Sequence, residues 1–398
     1  MQFPVPSEVF ASNDIKTLQR KGINLSVHNL KGTCSNYQQL IKERQLSDIR
    51  ITNCNLLNYL RGIRLVFRRP VLAGKLVYLV LKFCWSKPIH FIKSLILGPR
   101  ILYLIEEIKH SPPDVVHLFW GHYPSLVGLL IKGEMPEVKL SIFIGAYDLT
   151  EQYGLTGPAA KTADLVLTHA RVNVESIKEL GISEEKIKVV YRGMDLKIVP
   201  EEMRKEPKKV ITISRFIKSK AVEDALKAFA EITSKYEQTT MIVVGDGKEK
   251  KRLISLTTKL GIKDRVTFMG HLPHDEVIMQ LSKAEVFLFM SKKESERLPN
   301  VVKEAMACRC YCVVTKTPGM EELLKDGFHG AIVPIGDYQA AAEKVNEAFY
   351  NPDMTLQRIE AALSHIKANF DLEQQMSYYL AYWQQLLIKP GGSCSGSI

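Results

Sequence analysis

Two carboxylates eight residues apart open the functional reading: Glu296 and Glu304, in the segment ERLPNVVKEAMA from Glu296 to Ala307. Pro299 is expected as the first residue of a helix, where its missing N–H is no loss. The unpaired N–H groups and positive dipole end of such a helix suit an anion such as phosphate. Glu304, about one and a half turns in, is placed to accept hydrogen bonds from vicinal hydroxyls, with Glu296 in the loop outside. An anion site between two hydroxyl-binding carboxylates fits a nucleoside diphosphate with a sugar at each end. Two glutamates at this spacing are also common on solvated surface, so their companions decide the reading.

Arg215 closes the apolar run ITISR, and Lys220 follows five residues later. Both can reach a diphosphate, Arg with a planar fork and Lys as a point charge. Gly245-Asp246-Gly247 closes a second run, MIVVGDG; without Cβ atoms the backbone there can approach a ligand closely. Alone, the cations read as solvated charges and the GDG as a turn. In the order R-x4-K, GDG, E-x7-E, each at a strand end of one domain, the set is hard to reach by chance.

The elements that must position these groups alternate between strand and helix, which implies parallel sheets. In the first part, Ser7 is expected to cap a helix that runs through Ile15 and Leu18 to Gly22, with a short strand at Ile23 to Val27. A doubly wound domain normally opens with a central strand, yet only three residues precede Pro4. The expectation is therefore that the recorded start lies downstream of the true one, with a loss of sheet core. Strands are expected at Asp114 to Trp120, Val138 to Ile144, Ala163 to Thr168 and Lys186 to Tyr191. The second set begins at Val210 and ends with a helix over about Leu372 to Leu387. The division is then 1–197 for an N-terminal domain, 198–209 for a linker, 210–370 for a C-terminal domain, 371–388 for the last helix and 389–398 for a frayed tail.

The chain has 398 residues and a net charge of +11. The excess has a local origin. No acid occurs between Asp48 and Glu106, where Arg50, Arg61, Arg64, Arg68, Arg69, Lys75, Lys82, Lys87, Lys93 and Arg100 are interleaved with Leu, Ile, Val, Phe83, Trp85 and Phe91. Basic and apolar together, this region suits an anionic membrane surface. No uninterrupted apolar run reaches the length of a span, and no nucleic-acid motif accompanies the basic region. The seven cysteines show no C-x-x-C; Cys308, Cys310 and Cys312 are expected along one face of a buried strand in a reducing compartment. No metal-ligand spacing stands out.

Over about Val210 to Phe349 strongly, and Asp114 to Asp195 more loosely, the chain resembles glycosyltransferase family 4, retaining enzymes of the GT-B fold. The N-terminal FPVPSEVF is similar to the opening of members that build exopolysaccharide or lipid-linked glycans. The resemblance implies two Rossmann-like, doubly wound α/β domains facing across a cleft, the first acceptor-binding and the second nucleotide-sugar-binding, with the last helix a crossover back to the first domain. It implies that Arg215 and Lys220 bind the donor diphosphate, that Glu296 holds donor-sugar hydroxyls and Glu304 the ribose, and that Leu298-Pro299-Asn300 supplies backbone N–H groups to sugar and phosphate; Gly245, Asp246 and Gly247 complete the expected donor-binding set. The expected activity is metal-independent, retaining transfer of a sugar from a nucleoside diphosphate to a saccharide or lipid-linked acceptor, by a cytoplasmic enzyme peripheral at the inner face of the membrane. Ser214, Ala221 and Arg309 stand where the family has glycine, and Tyr311 where it has proline. The first-domain His of the family's H-G-x-D is absent from Ile144-Gly145-Ala146-Tyr147-Asp148; Asp148, His117 and His122 are the acceptor-side candidates in its place. These departures keep open the alternative of an inactive, membrane-associated partner protein.

Overall fold

The computed structural model describes residues 2–6 and 8–388, so the cap expected at Ser7 and the tail 389–398 lie outside the described residues. Contacts divide the chain into two units, one of residues 1–191 and 373–398, the other Arg192–Leu372. The segment read as a linker carries contacts of the second unit: Lys205 Nζ donates to the carbonyls of Leu281, Ala284 and Cys308.

In the first unit, α1 (Val9–Arg20), β1 (Ser26–His28), α2 (Tyr37–Glu43) and β2 (Arg50–Thr52) precede three helices, α3 (Leu56–Arg68), α4 (Pro70–Cys84) and α5 (Pro88–His110). Then follow β3 (Val115–Leu118), α6 (Pro124–Glu134), β4 (Lys139–Phe143), α7 (Ala146–Glu151), α8 (Thr156–Thr162), β5 (Leu165–Thr168), α9 (Asn173–Glu179) and β6 (Ile187–Val189). The ladders are parallel and come in two pieces, β1–β2 and β3-β4-β5-β6. Side chains rather than ladder bonds join the pieces: Phe3, Ala11, Leu46 and Ile49 form a cluster with Phe10, Val27, Ile51 and Phe119 against it.

Helix α3 approaches α5 backbone to backbone. A Cβ on Gly62 would lie 1.9 Å from the Pro99 carbonyl oxygen. Gly62→Ala is therefore expected to destabilise this unit by about 3 kcal/mol, as an overpacked core does, read from the denaturant midpoint; an unchanged midpoint would contradict the contact. Helix α5 is long and apolar enough to cross a bilayer by length and composition. Its C-terminal half packs as core, with Ile101, Leu102, Leu104 and Ile105 buried around the equally buried Arg100.

The second unit contains β7 (Lys209–Ile213), α10 (Val222–Lys235), β8 (Thr240–Val244), α11 (Lys250–Lys259), β9 (Val266–Gly270), α12 (His274–Lys283) and β10 (Val286–Phe289). After it come α13 (Asn300–Ala307), β11 (Tyr311–Thr315), α14 (Met320–Leu323), β12 (Gly330–Val333), α15 (Tyr338–Tyr350) and α16 (Pro352–Asn369). The sheet is parallel in the order β12-β11-β10-β7-β8-β9. Its middle strands are apolar and buried, Val210, Ile211, Phe287 and Leu288 fully so, as a sheet covered on both faces requires. Sequence order reverses between β7 and β10, so their following loops leave toward opposite faces and open a crevice at the C-terminal strand ends.

The last helix, α17 (Leu372–Leu387), lies on the first unit from Glu373 onward. Trp383 Nε1 donates to Ser141 Oγ on β4 at 3.2 Å, and Tyr379 and Trp383 flank the His117 ring.

The cysteine expectation needs correcting. The strand starts only at Tyr311, so Cys308 ends α13, Cys310 lies in the turn and only Cys312 is on β11. All three are buried, and burial pushes their thiols up, Cys308 to about 12.

Candidate functional site

The crevice of the second unit gathers the residues singled out in its sequence. Arg215 is exposed just past β7, and Lys220 closes the short turn Lys218–Lys220 before α10. The loop after β10 is pinned to that turn: Lys292 N donates to Ser219 O at 2.9 Å. The pinning brings Lys220 Nζ into contact with Glu296 Oε2, while Ser291 Oγ donates to the same oxygen at 3.5 Å. Phe289 lies beneath the ammonium, its ring centre 5.5 Å away. Burial pulls Lys220 down to about 7, with Lys293 and Arg215 adding to the effect. An adjoining anion favours the charged form of such an ammonium, and the Glu296 carboxylate is in contact with it.

On the other side of β7, Gly245 and Gly247 end β8 with φ of +134° and +152°. A Cβ on Gly245 would meet Ser214 O at 1.9 Å, and one on Gly247 would meet Phe216 O at 2.5 Å. Phe216 N donates to Asp246 O at 2.8 Å, so the glycines let two strand-end loops lie against each other. Asp246 points to solvent, where the Lys250 ammonium and then the Gly247 amide hold its carboxyl below the usual range. Ser214 Oγ is buried with no hydrogen-bond partner among the described residues.

Pro299, expected inside α13, is its cap, with ψ of 130°. Having no N–H, it leaves Asn300 and Val301 as the first amides of α13, which find no acceptor within the helix. The buried Lys303 anchors the helix through the Arg192 carbonyl at 2.7 Å and Asn300 Oδ1 at 3.0 Å. Leu298 is buried beneath the turn.

Glu304 has a partner that its sequence neighbourhood does not suggest. His274, the first residue of α12, places Nε2 3.0 Å from Glu304 Oε1. The bond to Glu304 raises the His274 pKa against the opposing effect of burial. A raised folded-state value means that the pair stabilises fully below the unfolded pKa and that its contribution is lost as pH rises through the folded one. In Glu304→Gln the imidazole is expected to titrate lower than in the parent, as followed by NMR of its ring protons; an unmoved titration would contradict the pairing.

In the first unit the structure separates the acceptor-side candidates. His122 Nδ1 lies 2.9 Å from Asp148 Oδ1, and Asp148 Oδ2 accepts from Gly145 N at 2.9 Å. Both side chains are buried, with the half-exposed Tyr147 ring beside His122. A histidine from the end of β3 thus reaches the aspartate that follows β4. His117 does not join them. Its Nδ1 meets Ser141 Oγ at 3.0 Å beneath α17, and burial pulls its pKa down to about 3. It is a core histidine, because its position on β3 points it under the last helix. Among the described residues no group of three or more His, Cys, Asp or Glu could hold a metal.

Residues 194–365 match the sequence model of the family described as glycosyl transferases group 1. Over 301 residues the chain is 28% identical to the N-acetyl-alpha-D-glucosaminyl L-malate synthase of Bacillus anthracis, covering 71% of this chain and 78% of that protein. It is 28% identical over 253 residues to the putative colanic acid biosynthesis glycosyltransferase WcaL of Salmonella typhimurium, covering 60% of this chain and 62% of that protein. Among solved structures it is similar to Anabaena HepE in complex with UDP, with a TM-score of 0.72 at 18% identity over 96% of this chain and 98% of that one. A glycosyltransferase from Rickettsia africae superposes with a TM-score of 0.68 at 17% identity over 97% of each chain. With the two parallel-sheet units, these likenesses give the chain the GT-B fold.

Proposed function

We propose that this chain, whose second unit matches the group 1 glycosyl transferases, is a retaining glycosyltransferase that moves a sugar from a nucleoside diphosphate to an acceptor hydroxyl. The observation that carries the reading is the meeting of Lys220 and Glu296 at the switch point, with the α13 N-terminus and Glu304 following on the same loop and helix. The likeness to an N-acetyl-alpha-D-glucosaminyl L-malate synthase and to a putative colanic acid biosynthesis glycosyltransferase supports transfer to a small-molecule or saccharide acceptor. The neighbour solved with UDP supports a nucleotide donor.

The bond between the sugar anomeric carbon and the diphosphate oxygen breaks, and a bond from the acceptor oxygen forms on the same face. The acceptor proton passes to the departing phosphate. Arg215, Lys220 and the amides of Asn300 and Val301 stabilise the charge that develops on the leaving group. Two cations and a helix terminus supply what a divalent metal does elsewhere, so transfer proceeds without one. Donor phosphate takes over Lys220 from Glu296, which frees that carboxylate for the sugar hydroxyls, and Glu304 receives the ribose. On the first unit, the His122–Asp148 pair offers the acceptor-side groups. The acceptor is a saccharide or lipid-linked saccharide, and the enzyme works at the inner face of the membrane.

The test is release of nucleoside diphosphate from a panel of UDP-, GDP- and ADP-sugars in the presence of saccharide acceptors and of EDTA. Turnover of one donor, with the anomeric configuration kept in the product by NMR, is the expected result. An inverted product, or turnover abolished by EDTA, would overturn the mechanism. No turnover of any donor would return the chain to the inactive reading.

A further inference from the structure

A surface helix ordinarily turns its apolar stripe inward. Helix α3 does the reverse. Leu56, Leu60, Ile63 and Phe67 form one stripe along it, and all four are exposed, Phe67 by 80%. Its inward face is Asn58 and Gly62, with the half-buried Leu65 against the core; Gly62 is the small residue that lets the helix lie against Pro99 of α5. The neighbouring helices continue the pattern: Val71, Tyr78 and Leu81 on α4, Trp85 just past its end, and Ile89, Ile92 and Ile96 on α5 are exposed as well. The three helices touch one another in pairs, so the stripes belong to one layer.

The cations from Arg61 to Arg100 sort into two sets. Arg69 binds Glu106 and Glu134, Lys75 binds Glu134, and the buried Arg100 binds Glu107 and the Asn29 carbonyl. Lys87 donates to the carbonyls of Glu151 and Gln152. These four hold the unit together. Arg61, Arg64, Arg68, Lys82 and Lys93 are exposed and have no carboxylate at ion-pair distance among the described residues. On α3, Arg61, Arg64 and Arg68 each directly follow a residue of the exposed stripe.

We propose that α3, α4 and the first half of α5 form a seat for an anionic lipid bilayer. The apolar stripes enter the headgroup boundary and the five outward cations meet lipid phosphates. A second copy of the chain fits this face poorly, since a two-fold contact would set the unpaired cations against their own images. The contact is a seat rather than a span, because Arg100, midway along the one helix of sufficient length among the described residues, is tied into the fold. The proposal does not depend on the sugar-transfer reading, and its test reads lipid binding alone.

The test is sedimentation of the purified chain with phosphatidylcholine vesicles, with and without phosphatidylglycerol, at low salt. Binding that needs phosphatidylglycerol is expected, with a blue shift of Trp85 emission in a variant whose other two tryptophans, Trp120 and Trp383, are replaced by Phe. Arg61/Arg64/Arg68→Glu should weaken binding by on the order of a hundredfold or more, and Phe67→Ser with Trp85→Ser by about tenfold. These residues are exposed, so unchanged circular dichroism is required of each variant. Absence of phosphatidylglycerol-dependent binding at low salt overturns the proposal. Concentration-dependent dimerisation abolished by Phe67→Ser, without lipid binding, would likewise overturn it and assign the face to a second copy.

Discussion

Lys220→Ala is expected to lower kcat/KM for nucleotide-sugar turnover by about a hundredfold to a thousandfold, most of it in kcat. The departing diphosphate gains charge as the glycosidic bond breaks, and Lys220 is the most desolvated of the groups proposed to meet it. Its ammonium sits over Phe289 against the Glu296 carboxylate, and burial pulls its pKa down to about 7, so an adjoining anion favours its charged form. Lys220→Met, which keeps the stem over Phe289, should lose activity to the same degree and so separate charge from packing. Lys220→Arg should rescue little, because the guanidinium is wider than the slot between that ring and Glu296. Steady-state release of nucleoside diphosphate measures all three. A loss below about threefold in the Met variant would remove Lys220 from the chemistry.

The second large effect is structural. Gly245→Ala is expected to destabilise the second unit by more than about 3 kcal/mol and to abolish nucleotide binding in whatever remains folded. The new Cβ would sit 1.9 Å from the Ser214 carbonyl oxygen, at a φ of +134° that alanine adopts only under strain. Relief requires the end of β8 to move away from the end of β7, which carries Arg215. Thermal unfolding followed by circular dichroism reads the first effect. A midpoint within a degree or two of the parent would show that the two loops are not packed as described.

Strand ends and their charged neighbours were legible in the sequence because their spacing is local. The set Arg215, Lys220, Gly245 to Gly247, Glu296 and Glu304 needed only the alternation of strand and helix to fall at one edge of one sheet, and the β7–β10 reversal supplies that edge. The last helix, expected over about Leu372 to Leu387, runs from Leu372 to Leu387. Three departures from the resemblance have a backbone explanation. Ala221 and Arg309, each at a place where the family has glycine, keep left-handed φ values of 45° and 54°, so the loop shape survives at a modest strain. Tyr311 uses an N–H that proline lacks, donating to Glu285 O at 2.8 Å.

What sequence could not show is which way a face turns and which helices meet. The stripe of Leu56, Leu60, Ile63 and Phe67 is plain in the sequence, but only the Gly62–Pro99 approach tells that it faces outward. The ten cations of that region looked alike until Glu106, Glu107 and Glu134 claimed Arg69, Lys75 and Arg100. His274 and Glu304 begin and end a contact between two helices thirty residues apart, with no local signal for it. His117 and His122, five residues apart, differ because one lies within β3 under α17 and the other beyond the strand end, within reach of Asp148.

The central claim is that the crevice of the second unit binds a nucleoside diphosphate through Arg215, Lys220 and Glu304. Isothermal titration of UDP, GDP and ADP into the purified chain, and into its Arg215→Ala and Glu304→Ala variants, tests it most directly. The account predicts that one nucleotide binds best, and that each variant weakens it by about tenfold or more, as loss of a charge-assisted contact does. Equal binding by parent and both variants, or no binding of any of the three, would contradict it.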